Sequence, residues 1–190
     1  MRQAVAGLDL AASPKRCSGY TLIVLTERHP LLTKIKCLGT DESIINEVLE
    51  DRVRIIAIDA PLIRSPKMRD VDRLLIKYGF RVFPPNFKWM RDLSVRGWKI
   101  AEKLRSLSIE VIETHPRSAL LKAGVNSCGD LLELLGIKIG VEDFTSRVMV
   151  KDLSDSVVAA VVAYCYVKGC SEAVSAGDGT VYILKKLGNI

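Results

Sequence analysis

Three aspartates interrupt apolar runs: Asp9 in AVAGLDLAA, Asp59 in RIIAIDAPL and Asp155 in KDLSDSVVAAVVAYCYVKG. Burying an isolated carboxylate costs several kcal/mol unless it is paired or bound to a cation. A shared divalent ion would resolve all three together. Two such ions about 4 Å apart, bridged by carboxylates, can activate a water and stabilise the leaving oxygen in phosphodiester cleavage. Asp152 lies three residues before Asp155, on the same face of a helix, and is a fourth candidate ligand. Glu113, at the end of a further apolar run, can join the cluster or orient the water. The chain has only two histidines, His29 and His115, which excludes a histidine-rich site and leaves oxygen ligands suited to Mg²⁺ or Mn²⁺. Structural readings stand beside these. Asp9 can accept from the loop amides of Ala11 to Ser13, Asp59 can cap the turn before Pro61, and Asp152 can be a plain helix cap. Glu113 and His115 can be a strand-end carboxylate and its local partner.

Periodicity gives the elements that must position these residues. QAVAGLDL (3 to 10), GYTLIVLT (19 to 26) and LTKIKCL (32 to 38) read as three successive strands with SPKR and RHP as turns, the first two pairing as a hairpin. TDESIINEVLEDR predicts a helix capped by Thr40 or Asp41, with Ile44, Ile45, Val48 and Leu49 at helical spacing. It leads into VRIIAIDAP, a buried strand suited to a central parallel position covered on both faces. RDVDRLLIKYG predicts a helix ended by Gly79, and DLSVRGWKIAEKLRSLS predicts another. Between them FRVFPPNFKWM is expected as an ordered loop that packs its aromatics. IEVIE (109 to 113) gives a fifth strand closed by His115 and Pro116, and residues 117 to 147 read as short helices able to form a small cap over the sheet. The last helix, with Asp152 as its N-cap, is apolar on nearly every face from Val157 to Val167, and GTVYILKK is a final strand. The order predicts an α/β fold in one domain over 1–190: a mixed sheet, three antiparallel strands then parallel strands, with helices on both faces.

A chain of 190 residues suits one sizeable core. No stretch reaches the ~20 uncharged apolar residues of a membrane helix. The N-terminus lacks a signal h-region, so no membrane association and a cytoplasmic location are expected. Five cysteines form no CxxC pair and are odd in number, so free thiols or small core residues are expected rather than a disulfide framework or a zinc ribbon. The net charge of +6 is concentrated. From Pro61 to Arg105, 12 Lys or Arg stand against 4 Asp or Glu, a local net of +8 expected of a polyanion-binding face. Arg69 and Arg91 can contact phosphates, as can Lys15 and Arg16 just past Asp9. Phe87 or Trp89 can stack on an unpaired base. The alternatives are loop packing for the aromatics and an internal ion pair of Arg69 or Arg73 with Asp72.

Seven motifs in order, GLDLAASPKR followed by GY, IAIDAPL, RDVDRLL with GFRVFPPN, MRDLSVRG, VIETHP and DLSDSVVAA, resemble those of an uncharacterised family of predicted nucleases with the ribonuclease H fold. That family is distantly similar to Holliday junction resolvases of the RuvC type. The resemblance runs from the first strand to the last helix and implies a ribonuclease H-like fold. In those resolvases the metal site takes an Asp from the first strand, an acid from the fourth and one or two Asp from the last helix. By motif these fall on Asp9, Asp59, Asp152 and Asp155. The fourth-strand acid is commonly Glu there and is the shorter Asp59 here. The resemblance also marks Arg69, Asp72, Asn86, Arg91 and Glu113 as family positions. It implies Mg²⁺ or Mn²⁺ with up to two ions, DNA or RNA as partner, and leaves room for a homodimer.

Three functions are therefore weighed. The first is a Mg²⁺- or Mn²⁺-dependent nuclease using Asp9, Asp59 and Asp155 as ligands. A catalytically silent nucleic-acid-binding module with the same basic face is the second. The third follows from GLDLAAS and its hairpin, which also resemble the phosphate-binding opening of actin-like kinases and ATPases; 190 residues hold one such domain, so that reading requires a small-molecule phosphotransferase acting as a dimer.

Overall fold

The run QAVAGLD forms strand β1 (Gln3–Asp9) in the computed structural model, which describes residues 3–187. β1 pairs antiparallel with β2 (Ser18–Leu25), and β2 antiparallel with β3 (Pro30–Leu38), so the meander and its first hairpin are as expected. Helix α1 (Asp41–Glu50) starts where Thr40 Oγ1 accepts from the Ser43 amide at 3.1 Å, and it returns the chain to β4 (Val53–Asp59), parallel to β1 on its other edge. Next come α2 (Asp70–Lys77) and α3 (Lys88–Ser106), then β5 (Glu110–Thr114), parallel to β4. The segment 117–147, expected as short helices able to cap the sheet, contributes to α4 (Pro116–Ala123), α5 (Cys128–Leu134), β6 (Lys138–Ile139) and α6 (Phe144–Val148). Helix α7 (Lys151–Lys168) is followed by the hairpin β7 (Ser171–Ala176) and β8 (Gly179–Leu184). The sheet runs in the order β6-β3-β2-β1-β4-β5-β8-β7.

Strand alternation divides the core into two layers. Val5, Ile55, Ala57 and Ile112 face α7, whose residues Val157 to Cys165 are all buried. Ala4, Ala6, Leu8, Ile56 and Ile58 face the other way, toward Ile44 and Val48 of α1 and Ile100, Ala101 and Leu104 of α3. The β-branched run of α7 is weak as an isolated helix and is stabilised by this burial against the sheet. Ala119, Ala123, Leu131, Leu132 and Ile137 pack into the same layer as α7, so residues 116 to 137 extend the core beside that helix.

Two glycines let α7 lie unusually close to the strands. A Cβ on Gly7 would fall 2.1 Å from the Ala160 amide nitrogen, and one on Gly19 would fall 2.0 Å from the Asp152 carbonyl oxygen. Only a hydrogen fits at either position, and both contacts are with helix backbone that cannot rotate aside.

Four expectations are corrected. The helix expected to begin at Asp92 starts at Lys88, which puts Trp89, Met90 and Arg91 on its first turn. Asp152 is not the cap of α7: Val150 precedes the helix with extended backbone, and Asp152 is its second residue. Strands β6 and β7 were not expected, the first because two residues carry no period and the second because Ser-Glu-Ala-Val-Ser-Ala is poor in β-branched residues. The cysteines are not all free. Cys17 is joined to Cys37 and Cys165 to Cys170, while Cys128 is the free, buried one among the described residues. Cys17 and Cys37 are brought together by the β2–β3 register, in which Gly19 stands opposite Cys37, a proximity that spacing alone does not reveal.

Candidate active site

Asp9 ends β1 and Asp59 ends β4, and the parallel register places them side by side, on strands that neighbour at roughly 4.8 Å. Both lie two residues beyond side chains that face α7, Gly7 and Ala57, so alternation turns both carboxylates toward that helix. The close approach at Gly7 and Gly19 brings the first turns of α7 over them, with Asp152 and Asp155 lining the same cleft. The residues expected to cluster do so: Asp9, Asp59, Asp152 and Asp155 share one cavity of about 600 Å³.

The electrostatics record an uncompensated cluster. Burial, then Asp155 and Asp152, push the Asp9 carboxyl up to about 7, against the pull of Lys151. Asp59 is raised well above the carboxylate range by burial first and then by Asp9 and Asp155. The Ala11 amide donates to Ser18 Oγ at 3.1 Å rather than to Asp9, and the half-buried Asp9 and Asp59 carboxylates accept no hydrogen bond from the described residues. Asp155 differs: its Oδ2 accepts from Lys151 Nζ at 2.7 Å, one turn earlier on the same helix.

No group of three or more His, Cys, Asp or Glu among the described residues is spaced to hold a metal ion. Asp9 and Asp59 nonetheless fit a hard divalent cation by donor chemistry. Both present oxygen ligands without competing donors, and Mg²⁺ commonly takes one or two protein carboxylates and fills its remaining positions with water or substrate oxygens.

Glu113 is placed differently. Its register partner on β4 is Ile58, not Asp59, yet it lines the same cavity as the four aspartates and its charge helps to raise Asp59. There its Oε2 accepts from the Leu62 amide and from Arg69 Nη1, both at 2.9 Å, and its Oε1 accepts from Arg69 Nη2 at 2.5 Å. Arg69 also donates to both oxygens of Asp72. Arg69 is 3% exposed with its guanidinium spent on two acids, so the internal pair with Asp72 replaces the expected phosphate contact. Burial raises the Glu113 carboxyl even against Arg69. Nor is His115 the partner of Glu113: its Nδ1 shares a 2.6 Å hydrogen bond with Ser118 Oγ. The ring lines the cleft and burial lowers its pKa to about 4, so it is neutral at physiological pH.

The cleft rim is basic and aromatic. Arg16, Arg81, Arg117 and Trp89 line it, whereas Lys15, Asn86 and Arg91 are exposed outside the lining. Phe83, Phe87 and Trp89 are 58%, 55% and 50% exposed, which corrects the expectation that loop packing would cover them. Phe83 and Trp89 meet edge to face, with ring centroids 5.3 Å apart.

Sequence reasoning missed Arg96. Buried in α3, it donates to the carbonyls of Ala11 and Gly39 at 2.6 Å each and to Asp41 at 2.7 Å, tying the loop after Asp9 to two other segments. The available signal was a charge on the stripe of α3 that also carries Leu93, Gly97, Ile100 and Leu104.

No family model matches the chain, and no curated protein does. Solved structures do. Thermus thermophilus RuvC in complex with a Holliday junction substrate superposes with a TM-score of 0.55 at 11% identity, covering 88% of this chain and 96% of that one. Another structure of Thermus thermophilus RuvC gives 0.54 at 11% identity, covering 88% and 97%. The fold is ribonuclease H-like. On this ribonuclease H-like sheet the distant similarity to RuvC resolvases expected from the motifs holds, and β7 forms the edge beyond β8. Among the described residues no helix is long and apolar enough to cross a membrane.

Proposed function

We propose that this chain is a divalent-metal-dependent nuclease that hydrolyses phosphodiester bonds of DNA or RNA. The observation that carries the reading is the in-register pair Asp9 and Asp59, turned to one side of the sheet without a hydrogen-bond donor among the described residues and raised first by burial and then by neighbouring aspartates, Asp155 and Asp152 on Asp9 and Asp9 and Asp155 on Asp59. Two adjacent buried carboxylates with no counter-donor destabilise the free protein, which makes sense where a cation completes them. Asp9 and Asp59 would hold Mg²⁺ or Mn²⁺, with Asp155 and Asp152 at hand on α7. When bound, the ion supplies a polarised phosphodiester and an acidified water. Around it the chain's own residues bind and orient. Arg16, Arg81 and Arg117 offer charge-assisted hydrogen bonds to backbone phosphates. The exposed Phe83 and Trp89 offer a face or edge to an unpaired base. The likeness of the fold to a RuvC in complex with a Holliday junction substrate supports nucleic acid as the partner here. One domain, a cytoplasmic location and an optional homodimer belong to the same reading.

The second reading is a nucleic-acid-binding module without catalysis. Its support is the engagement of Asp155 by Lys151, together with the absence of a three-ligand group among the described residues. Incubation with supercoiled DNA, structured RNA and a four-way junction in Mg²⁺ or Mn²⁺ separates the two. Cleavage that disappears in folded Asp9→Asn and Asp59→Asn variants is the expected result. Binding of these substrates with no cleavage in either metal refutes the nuclease and leaves the module.

A further inference from the structure

Lys151 is the first residue of α7, a position where local physics disfavours a cation. The N-terminus of a helix carries the positive end of the dipole, so a lysine there is repelled. A lysine four residues before an acid is also the less favourable order for a helical ion pair. Val150 precedes the helix and makes no side-chain cap, and Lys151 has no acceptor with which to supply one. Arg16, Arg81 and Arg117 line the same cleft yet make no ion pair among the described residues, whereas the Lys151 ammonium lies 2.7 Å from Asp155 Oδ2. Its side chain is 82% exposed, so rotation away from Asp155 disrupts no packing.

We propose that Lys151 is the resident countercation of the carboxylate site, occupying Asp155 in the metal-free chain and releasing it when a divalent ion enters between Asp9, Asp59 and α7. This rests on the metal-dependent reading above and goes beyond it by naming the internal competitor that sets metal affinity. The side chain is tethered at the mouth of the cleft, so once freed it is placed to meet an incoming phosphate.

The test is Mn²⁺ binding to the full chain, read by the spin-resonance signal of free Mn²⁺, with no substrate present. Wild type, Lys151→Met, Lys151→Gln and Asp9→Asn are compared, each checked for folding by circular dichroism. Removing the competing cation is expected to tighten Mn²⁺ binding about tenfold in both lysine variants, the order expected from one nearby unit charge in a partly solvated site, and Asp9→Asn is expected to weaken it. Unchanged or weaker binding in both lysine variants, with Asp9→Asn still losing Mn²⁺, overturns the role of Lys151 and leaves the metal site standing. No Mn²⁺ binding by wild type or either lysine variant overturns the metal-dependent reading itself, and this proposal with it.

Discussion

Replacing Asp9 by Asn is expected to stabilise the metal-free protein, by an amount that depends on pH in a definite direction. Asp9 is raised from 3.8 to about 7 in the folded chain by burial and by Asp155 and Asp152. Between those two values the folded state binds a proton that the unfolded state has lost, so stability falls as pH rises through this window. Below the unfolded value both states are protonated and the penalty is absent. Above about 7 both are ionised and the penalty is complete. A shift of about three units at about 1.36 kcal/mol per unit gives roughly 4 kcal/mol at most, shared with Asp59 because the two carboxyls titrate as a pair. Urea unfolding in a chelating buffer should therefore show wild type losing stability from acid toward neutral pH. The stability of Asp9→Asn should change less, keeping the part that the buried Asp59 contributes, and should exceed wild type by a few kcal/mol at about pH 8 and by little at about pH 4. Saturating Mg²⁺ should restore wild type selectively, because a ligand that binds only the folded state stabilises it. Equal stability of the two proteins at pH 8, or wild type gaining stability across the window, would refute the claim that these carboxylates are uncompensated.

Gly7→Ala places a methyl group against helix backbone 2.1 Å away, so at least the roughly 1–3 kcal/mol of an overpacked core should appear in denaturant unfolding, with weaker Mn²⁺ binding as α7 is pushed off β1. Arg69→Met leaves Asp72 and Glu113 buried without their cation, and calorimetry should show a loss of about 3–5 kcal/mol, the range for breaking one side of a buried pair. Trp89→Ala removes a half-exposed ring whose aromatic contact is with Phe83. Stability should stay within about 0.5 kcal/mol, while affinity for single-stranded nucleic acid falls by the roughly 1–3 kcal/mol of one base stacked on an aromatic ring, read by fluorescence anisotropy.

Asp9 and Asp59 were legible because each ends an apolar strand, and a charge at that place has few structural uses. Their side-by-side placement comes from the parallel β1–β4 register, which the sequence pattern did not report. Asp155 was legible from helical spacing, whereas its engagement by Lys151 was not, because an i,i+4 pair of exposed type is common on any helix surface. Glu113 was legible as a strand-end acid beside the others, whereas its engagement by Arg69 was not, because that partner comes from a distant segment that only the fold brings near. The exposure of Phe83, Phe87 and Trp89 was hidden for a related reason: hydrophobicity favours burial, but the neighbours that would bury them come from the rest of the fold. Gly7 and Gly19 lay in plain view as small residues in strands, and their purpose appears only with α7 lying across them.

Arg96 explains how the two halves of the candidate site are held to each other. Trp89, Met90 and Leu93, on the first turns of α3, line the cleft, while Asp9 belongs to β1 in the centre of the sheet. Three guanidinium hydrogen bonds from the third turn of α3 end on the Ala11 carbonyl, two residues past Asp9, on the Gly39 carbonyl and on Asp41. A buried guanidinium is tolerated only when its donors are satisfied, and here the partners come from the β1–β2 loop and from the turn that opens α1. The helix that brings Trp89 to the rim is thereby fixed to the strand end carrying the carboxylate. Any shift of α3 that opens the cleft must break these part-buried charge-assisted hydrogen bonds, so the spacing between Trp89 and the carboxylates is set by the fold before a substrate arrives.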